Sequence, residues 1–253
     1  MHLATPESPP DSPAQRTADR RRLLSALNLS LAFVLVLVAV FSAQGHFDVA
    51  AWSIQPWSLR GLRGVLTAPL LHGSLEHLAT NAFSLLLLGT LAGAVYPRAT
   101  LRALPLLWLS SGLGAWLLGS AGSHHLGASG ITHGLMFLVF VLGLLRRDRP
   151  AIAAAMIAFM LYGGMLLTIL PREPGISWQA HLGGAVGGVI AAWLFRRLDP
   201  RSPRKRYSWE HEDEGMVPAH DELEPPSPHE VPVLWKRPQE TRGTVLRFPP
   251  REE

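Results

Sequence analysis

The chain has 253 residues, of which 48% are hydrophobic and 17% charged, and this length allows one or at most two domains. It has no cysteine, which excludes disulfides, thiolate nucleophiles, thioether-attached haem and cysteine-ligated zinc, so any chemistry must use oxygen or imidazole. Eleven of the 19 acidic residues follow Arg206, whereas 23–195 hold only Asp48, Glu76, Asp148 and Glu173, too few to keep the surface of a soluble domain in water.

A helix needs about 20 apolar residues to cross a hydrocarbon core of roughly 30 Å. Six runs approach that length: Leu23 to Ala43, His77 to Tyr96, Leu101 to Gly119, Ser129 to Leu145, Ala151 to Leu170 and Gln179 to Phe195. Pro, Gly or Arg closes each of them, as in Tyr96-Pro97-Arg98 and Leu170-Pro171-Arg172. The fourth and sixth are short and Gly-rich. The expected fold is therefore an all-α polytopic membrane protein with six transmembrane helices.

Residues 1–22 are too long and polar for the leading region of a signal peptide, so the first helix reads as a retained signal anchor behind a disordered segment. Residues 23–196 form the membrane domain. Residues 197–253 are basic, then acidic and Pro-rich, lack a period of 2 or 3.6, and read as a disordered tail. Assigning the segments between spans to alternate sides puts 15 Lys and Arg on the side of the termini and only Arg60, Arg63 and Arg172 on the other. Basic residues are retained on the cytoplasmic side, so both termini are expected there. The same basic residues, placed at helix ends, are a topology signal and not a nucleic-acid site.

Ionisable and polar groups inside spans are costly and point to function. Three clusters open the second, fourth and sixth runs: His72 to Asn81, Gly127 to Gly134, and Ala180 to Gly188. Alternating topology sets all three at the outer end of the bundle, where they can meet. His77 and Asn81 are four residues apart and share a helical face, as do Ser129 and His133. Gly130-x-x-x-Gly134 and Gly184-x-x-x-Gly188 are small-residue faces that let helices pack closely. Contact between them would carry Ser129 toward His181.

A serine hydroxyl becomes nucleophilic when an imidazole takes its proton, and that imidazole can then protonate the leaving amine. Ser129 and His181 suit these roles. No carboxylate is spaced to orient His181, so the reading is a Ser-His dyad without metal or cofactor. The Asn81 amide, the His77 imidazole and the Ser129 backbone N–H are candidate donors to a developing oxyanion.

The ordered pattern His72-x4-His77-x3-Asn81, Gly127-Ala128-Ser129-Gly130 and Ala180-His181-x2-Gly184-x3-Gly188 resembles the rhomboid family of intramembrane serine proteases over about residues 23 to 196. The resemblance implies a six-helix bundle in a bacterial cytoplasmic membrane. It would be a serine endopeptidase that cleaves transmembrane substrates within or next to their spans, with those proteins and the lipid bilayer as its partners. By motif position, Ser129 is similar to the nucleophile, His181 to the base, and His77 and Asn81 to the oxyanion donors. His72 matches a supporting histidine, and Gly127 and Gly130 the glycines that shape the nucleophile turn.

Two positions depart from the family pattern. His133 stands where members often carry an aromatic residue that stacks on the base, and it can stack or hydrogen-bond there. A Trp-Arg pair often precedes the first histidine, but here Arg63-Gly64 precede Thr67, with Trp52, Trp57 and Arg60 nearby. Two alternatives stay open: a proteolytically inactive relative that binds client helices, and a metal-dependent membrane protein. The latter is weakened by the lack of H-E-x-x-H. His124 and His125 read as members of a solvated loop.

Overall fold

The computed structural model describes residues 13–171 and 175–200. The expectations for 1–12, Arg172, Glu173 and the tail beyond Pro200 lie outside the described residues. Each of the six apolar runs forms a helix: α1 (Pro13–Ala43), α2 (Leu75–Val95), α3 (Pro97–Leu118), α4 (Ser129–Arg146), α5 (Arg149–Tyr162) and α6 (Trp178–Phe195). No strand occurs among the described residues, only an isolated bridge between Ile54 and His125.

Among the described residues, four helices are long and apolar enough to cross a membrane: α1 with its extension to His46, α2, α3 and α4. The fifth and sixth fall short of that standard for different reasons. α5 has 14 residues because Gly163 and Gly164 interrupt the run expected to reach Leu170, leaving a separate turn at Met165–Thr168. α6 has 18 residues but is diluted by four glycines, Gln179 and His181. At the other end of the chain, α1 begins at Pro13, so residues 13–22 are helical and not part of a disordered lead. Arginine closes an apolar run without opposing helix formation.

The glycines of α6 explain how the bundle closes. Gly184 and Gly188 face α4, where a Cβ on either would collide with the carbonyl oxygen of Gly130 or Gly134. Gly183 and Gly187 face α3, meeting the Ser110 carbonyl and hydroxyl respectively. Backbone therefore lies against backbone on both sides of α6, the contact that small residues permit in a lipid environment. A Gly184→Val protein should lose about 3 kcal/mol or more of stability, because the added atoms meet a carbonyl that cannot rotate away. Thermal unfolding in detergent checks this, and an unchanged midpoint would contradict it.

Both ends of the bundle are fastened. After α6, the Asp199 carboxylate accepts from the Arg98 and Ala99 backbone N–H groups, each at 2.9 Å, and so caps α3. Arg146 at the end of α4 donates to the Asp199 and Pro200 carbonyls, each at 2.9 Å, and pairs with Asp148 at 3.2 Å. At the opposite end, residues 44–74 form a series of short helices pinned to α3 and to the loop that follows it. The indoles of Trp108, Trp116 and Trp57 donate to the carbonyls of Leu66, Ser58 and Gly119, respectively. Although no Trp-Arg pair is adjacent in sequence, the two residue types meet in space: the Arg63 guanidinium lies 5.3 Å from the centre of the Trp52 ring, and Thr67 donates to the Trp52 carbonyl at 2.6 Å.

Candidate active site

Ser129 is the first residue of α4 and follows a turn that only glycine allows comfortably. Gly127 has φ +113°, and a Cβ there would lie 2.7 Å from His77 Nε2. Its N–H donates to the Ala68 carbonyl at 2.8 Å, which ties the turn to the segment leading into α2. Gly130 then lets α4 approach α3 and α6 together, since its Cα faces Ser111 and the Ala180 carbonyl. This double approach brings Ser129 to the next residue of α6, His181.

His181 Nε2 lies 2.8 Å from Ser129 Oγ, and its Nδ1 lies 3.1 Å from the Thr168 carbonyl oxygen. A carbonyl can only accept, so the hydrogen-bond pattern assigns the proton to Nδ1 and leaves the Nε2 lone pair facing the serine hydroxyl. An imidazole held in this tautomer can draw the proton from Ser129 as its oxygen attacks a carbonyl carbon. The third member expected in many serine hydrolases is a carboxylate, but here a backbone carbonyl fills that position. Asp148 and Asp199 are engaged at the opposite end of the bundle.

His133, one turn along α4 from Ser129, stacks on His181 with ring centres 3.8 Å apart and planes 12° from parallel. It does not hydrogen-bond to His181. Its Nδ1 donates to the Ser129 carbonyl at 2.7 Å, and its Nε2 meets the Thr168 hydroxyl at 2.8 Å. Thr168 thus holds both histidines, one through its carbonyl and the other through its side chain. The sequence carried no signal for it beyond its position just past the Gly163-Gly164 break.

His77 and Asn81 lie over Gly127, two residues before Ser129. The Asn81 amide nitrogen is 3.6 Å from the Cβ position of Gly127, is buried, and has no hydrogen-bond partner among the described residues. His77 is fixed by Ser74, whose hydroxyl accepts from the His77 backbone N–H at 3.0 Å as the cap of α2. The His72 ring is fully buried edge-on to His77, with centres 5.1 Å apart. Gln44 at the end of α1 clamps its backbone: the amide donates to the His72 carbonyl at 2.7 Å and accepts from its N–H at 2.9 Å. Gly134, Gly184 and Gly188 lie at the α4–α6 contact already described. Among the described residues no three His, Asp or Glu side chains gather in a way that would hold a metal ion.

The reading of His125 as a solvated loop residue needs correction, whereas His124 is exposed. His124 Nδ1 bonds to the Ser53 hydroxyl at 2.8 Å. His125 is buried and bonds to Ser177 at the start of α6 at 2.7 Å, and to Ser123 at 2.9 Å. Burial, reinforced by the adjacent His124, holds the His125 imidazole below its ordinary pKa. The pair joins the loop before α4 to residues 53–54 and to the start of α6.

A model of the rhomboid domain matches residues 59–198, the part of the chain that holds His72, His77, Asn81, Ser129, His133, Thr168 and His181. An uncharacterized protein of Mycobacterium tuberculosis (strain ATCC 25618 / H37Rv) and another of Mycobacterium bovis are each 35% identical over 204 residues, covering 77% of this chain and 85% of theirs. An uncharacterized Mycobacterium leprae protein is 38% identical over 141 residues, covering 53% of this chain and 56% of its own length. The family match spans more than half of the sequence and includes every helix that contributes to the Ser129 site, and on that ground the chain belongs to the rhomboid family.

Proposed function

We propose that this protein is an intramembrane serine endopeptidase that cleaves transmembrane proteins within or next to their spans by a Ser129-His181 dyad. The observation that carries the reading is the 2.8 Å hydrogen bond from Ser129 Oγ to His181 Nε2, with the His181 tautomer fixed by the Thr168 carbonyl. Ser129 attacks the scissile carbonyl while His181 takes its proton. His181 returns that proton to the leaving amine, and water then hydrolyses the acyl-enzyme by the same route. Asn81, His77 and the N–H groups of the first turn of α4 receive the oxyanion; the unpartnered Asn81 amide is a donor held ready for charge that develops only during the reaction.

In this reading all six helices cross the bacterial cytoplasmic membrane, with both termini in the cytoplasm. The excess of Arg at Arg16 to Arg22, Arg98, Arg102 and Arg146 to Arg149 supports that orientation. It puts Ser129 toward the outer face. The test is cleavage of a single-span reporter by the purified protein, with Ser129→Ala as the control and a chelator added in parallel. Product that forms regardless of chelator and only with Ser129 intact supports the reading, whereas chelator-sensitive cleavage contradicts it.

Removing one preorganised oxyanion donor typically costs about 2.7 to 4 kcal/mol of transition-state stabilisation. Asn81→Ala should therefore lower kcat by roughly 100- to 1,000-fold while leaving KM nearly unchanged. Reporter kinetics check this, and a change confined to KM would assign Asn81 to substrate binding instead.

A further inference from the structure

α1 leans on α2 alone for most of its length. Ala26 and Ser30 settle against Gly93 and Gly89 of α2, and the neighbouring stripe of Arg21, Ser25, Leu29 and Phe33 is left facing α3 across an open groove of about 1130 Å³. The opposite wall is Thr100, Leu101, Leu104 and Trp108 of α3, and the floor is Leu85 of α2 with Ile131 and Leu135 of α4. The groove is apolar along its length and basic at one end. Arg21 and Arg22 stand at one end, with Arg22 also in an exposed ion pair with Asp19 at 3.7 Å. In the α3 wall, the Thr100 hydroxyl is buried and has no hydrogen-bond partner among the described residues. At the other end Phe33 meets Trp108, ring centres 5.8 Å apart, and Leu66 closes the space behind them.

The length of the groove decides what it can hold. From Arg21 to Phe33, twelve helical rises span about 18 Å. One leaflet of hydrocarbon is half of the roughly 30 Å core, about 15 Å deep. A client helix that crosses the bilayer would need the whole depth, but the Phe33–Trp108 contact stops the groove midway. A free anion would use the arginines and leave the apolar walls unfilled.

We propose that the groove between α1 and α3 is a binding site for an anionic phospholipid. Its acyl chains run toward Trp108, its phosphate rests at Arg21 and Arg22, and its glycerol ester oxygens reach the Thr100 hydroxyl. Guanidinium groups are well matched to phosphate oxygens, and basic residues at a membrane surface favour anionic lipid. In the orientation proposed above, this lipid belongs to the cytoplasmic leaflet. The ligand would brace α1, which has little protein contact on this face.

Native mass spectrometry of the delipidated full-length protein in detergent, titrated with phosphatidylglycerol or phosphatidylcholine, tests the proposal. Wild type is expected to retain one phosphatidylglycerol at least tenfold more strongly than phosphatidylcholine. An R21Q/R22Q variant, changed only at exposed positions, should lose that preference, and Leu104→Trp, which narrows the groove, should weaken retention of both lipids. Equal retention of the two lipids, an unchanged preference in R21Q/R22Q, or displacement of the lipid by millimolar inorganic phosphate would each overturn it. The Ser129→Ala protein should bind lipid as wild type does, so this result stands apart from the proteolytic reading.

Discussion

Ser129→Ala is expected to abolish reporter cleavage, a loss on the order of 10⁴-fold or more, while the protein stays folded. The substitution removes one oxygen. In the proposed mechanism that oxygen attacks the scissile carbonyl while handing its proton to His181, 2.8 Å away. Among the described residues the neighbouring hydroxyls do not replace it: Ser111 lies against Gly130, and the Thr168 hydroxyl is engaged with His133. The structural cost is small, because the net worth of one hydrogen bond is about 1 kcal/mol and Ser129 is only half-buried. Paired measurements of cleavage and thermal unfolding separate the two effects. Substantial turnover by a well-folded Ser129→Ala protein would refute the nucleophile assignment.

His181→Ala should be equally inactive, but for a different atomic reason and with a different effect on stability. Without the imidazole the Ser129 hydroxyl keeps its proton, so attack is lost although the oxygen remains. His181 is also buried, stacked against His133 and bonded to Thr168, and its removal leaves a cavity and an unmatched carbonyl. About 2 kcal/mol of stability should go with it. Groups that act as one unit give non-additive losses, so the double variant Ser129→Ala/His181→Ala should be no slower than either single variant. Residual rates of the three proteins check this; losses that multiply would mean that the two side chains act separately.

The site was legible in the sequence to the extent that helical spacing and glycine could carry it. Ser129 and His181 are 52 residues apart, yet Gly130, Gly134, Gly184 and Gly188 announced a contact between their helices, and that contact joins them. Hydropathy carried the fifth run unbroken to Leu170, whereas Gly163-Gly164 end α5 and leave Thr168 in a separate turn beside both histidines. Thr168 could not be found from sequence because its main contribution is a carbonyl oxygen, which every residue has. The same holds for Gln44, whose amide clamps the backbone of His72.

His133 shows another limit. Spacing put it on the face of Ser129, and an aromatic role against His181 was foreseeable, but its hydrogen bonds go to the Ser129 carbonyl and Thr168, depending on turn geometry that no pattern encodes. For His125, a polar loop composition concealed the buried contact with Ser177. The start of α1 was misplaced for a simpler reason. Hydropathy marks where a chain enters lipid, whereas helix propensity marks where it begins to coil, and Arg16 to Arg22 satisfy the second without the first.

The most direct test of the central claim is labelling of the purified, detergent-solubilised protein with a fluorophosphonate, which reacts covalently only with an activated serine. Wild type is expected to be labelled at Ser129, with labelling lost in both Ser129→Ala and His181→Ala. Labelling that persists in Ser129→Ala, or no labelling of a wild-type protein shown to be folded, would contradict the assignment of Ser129 as a nucleophile activated by His181.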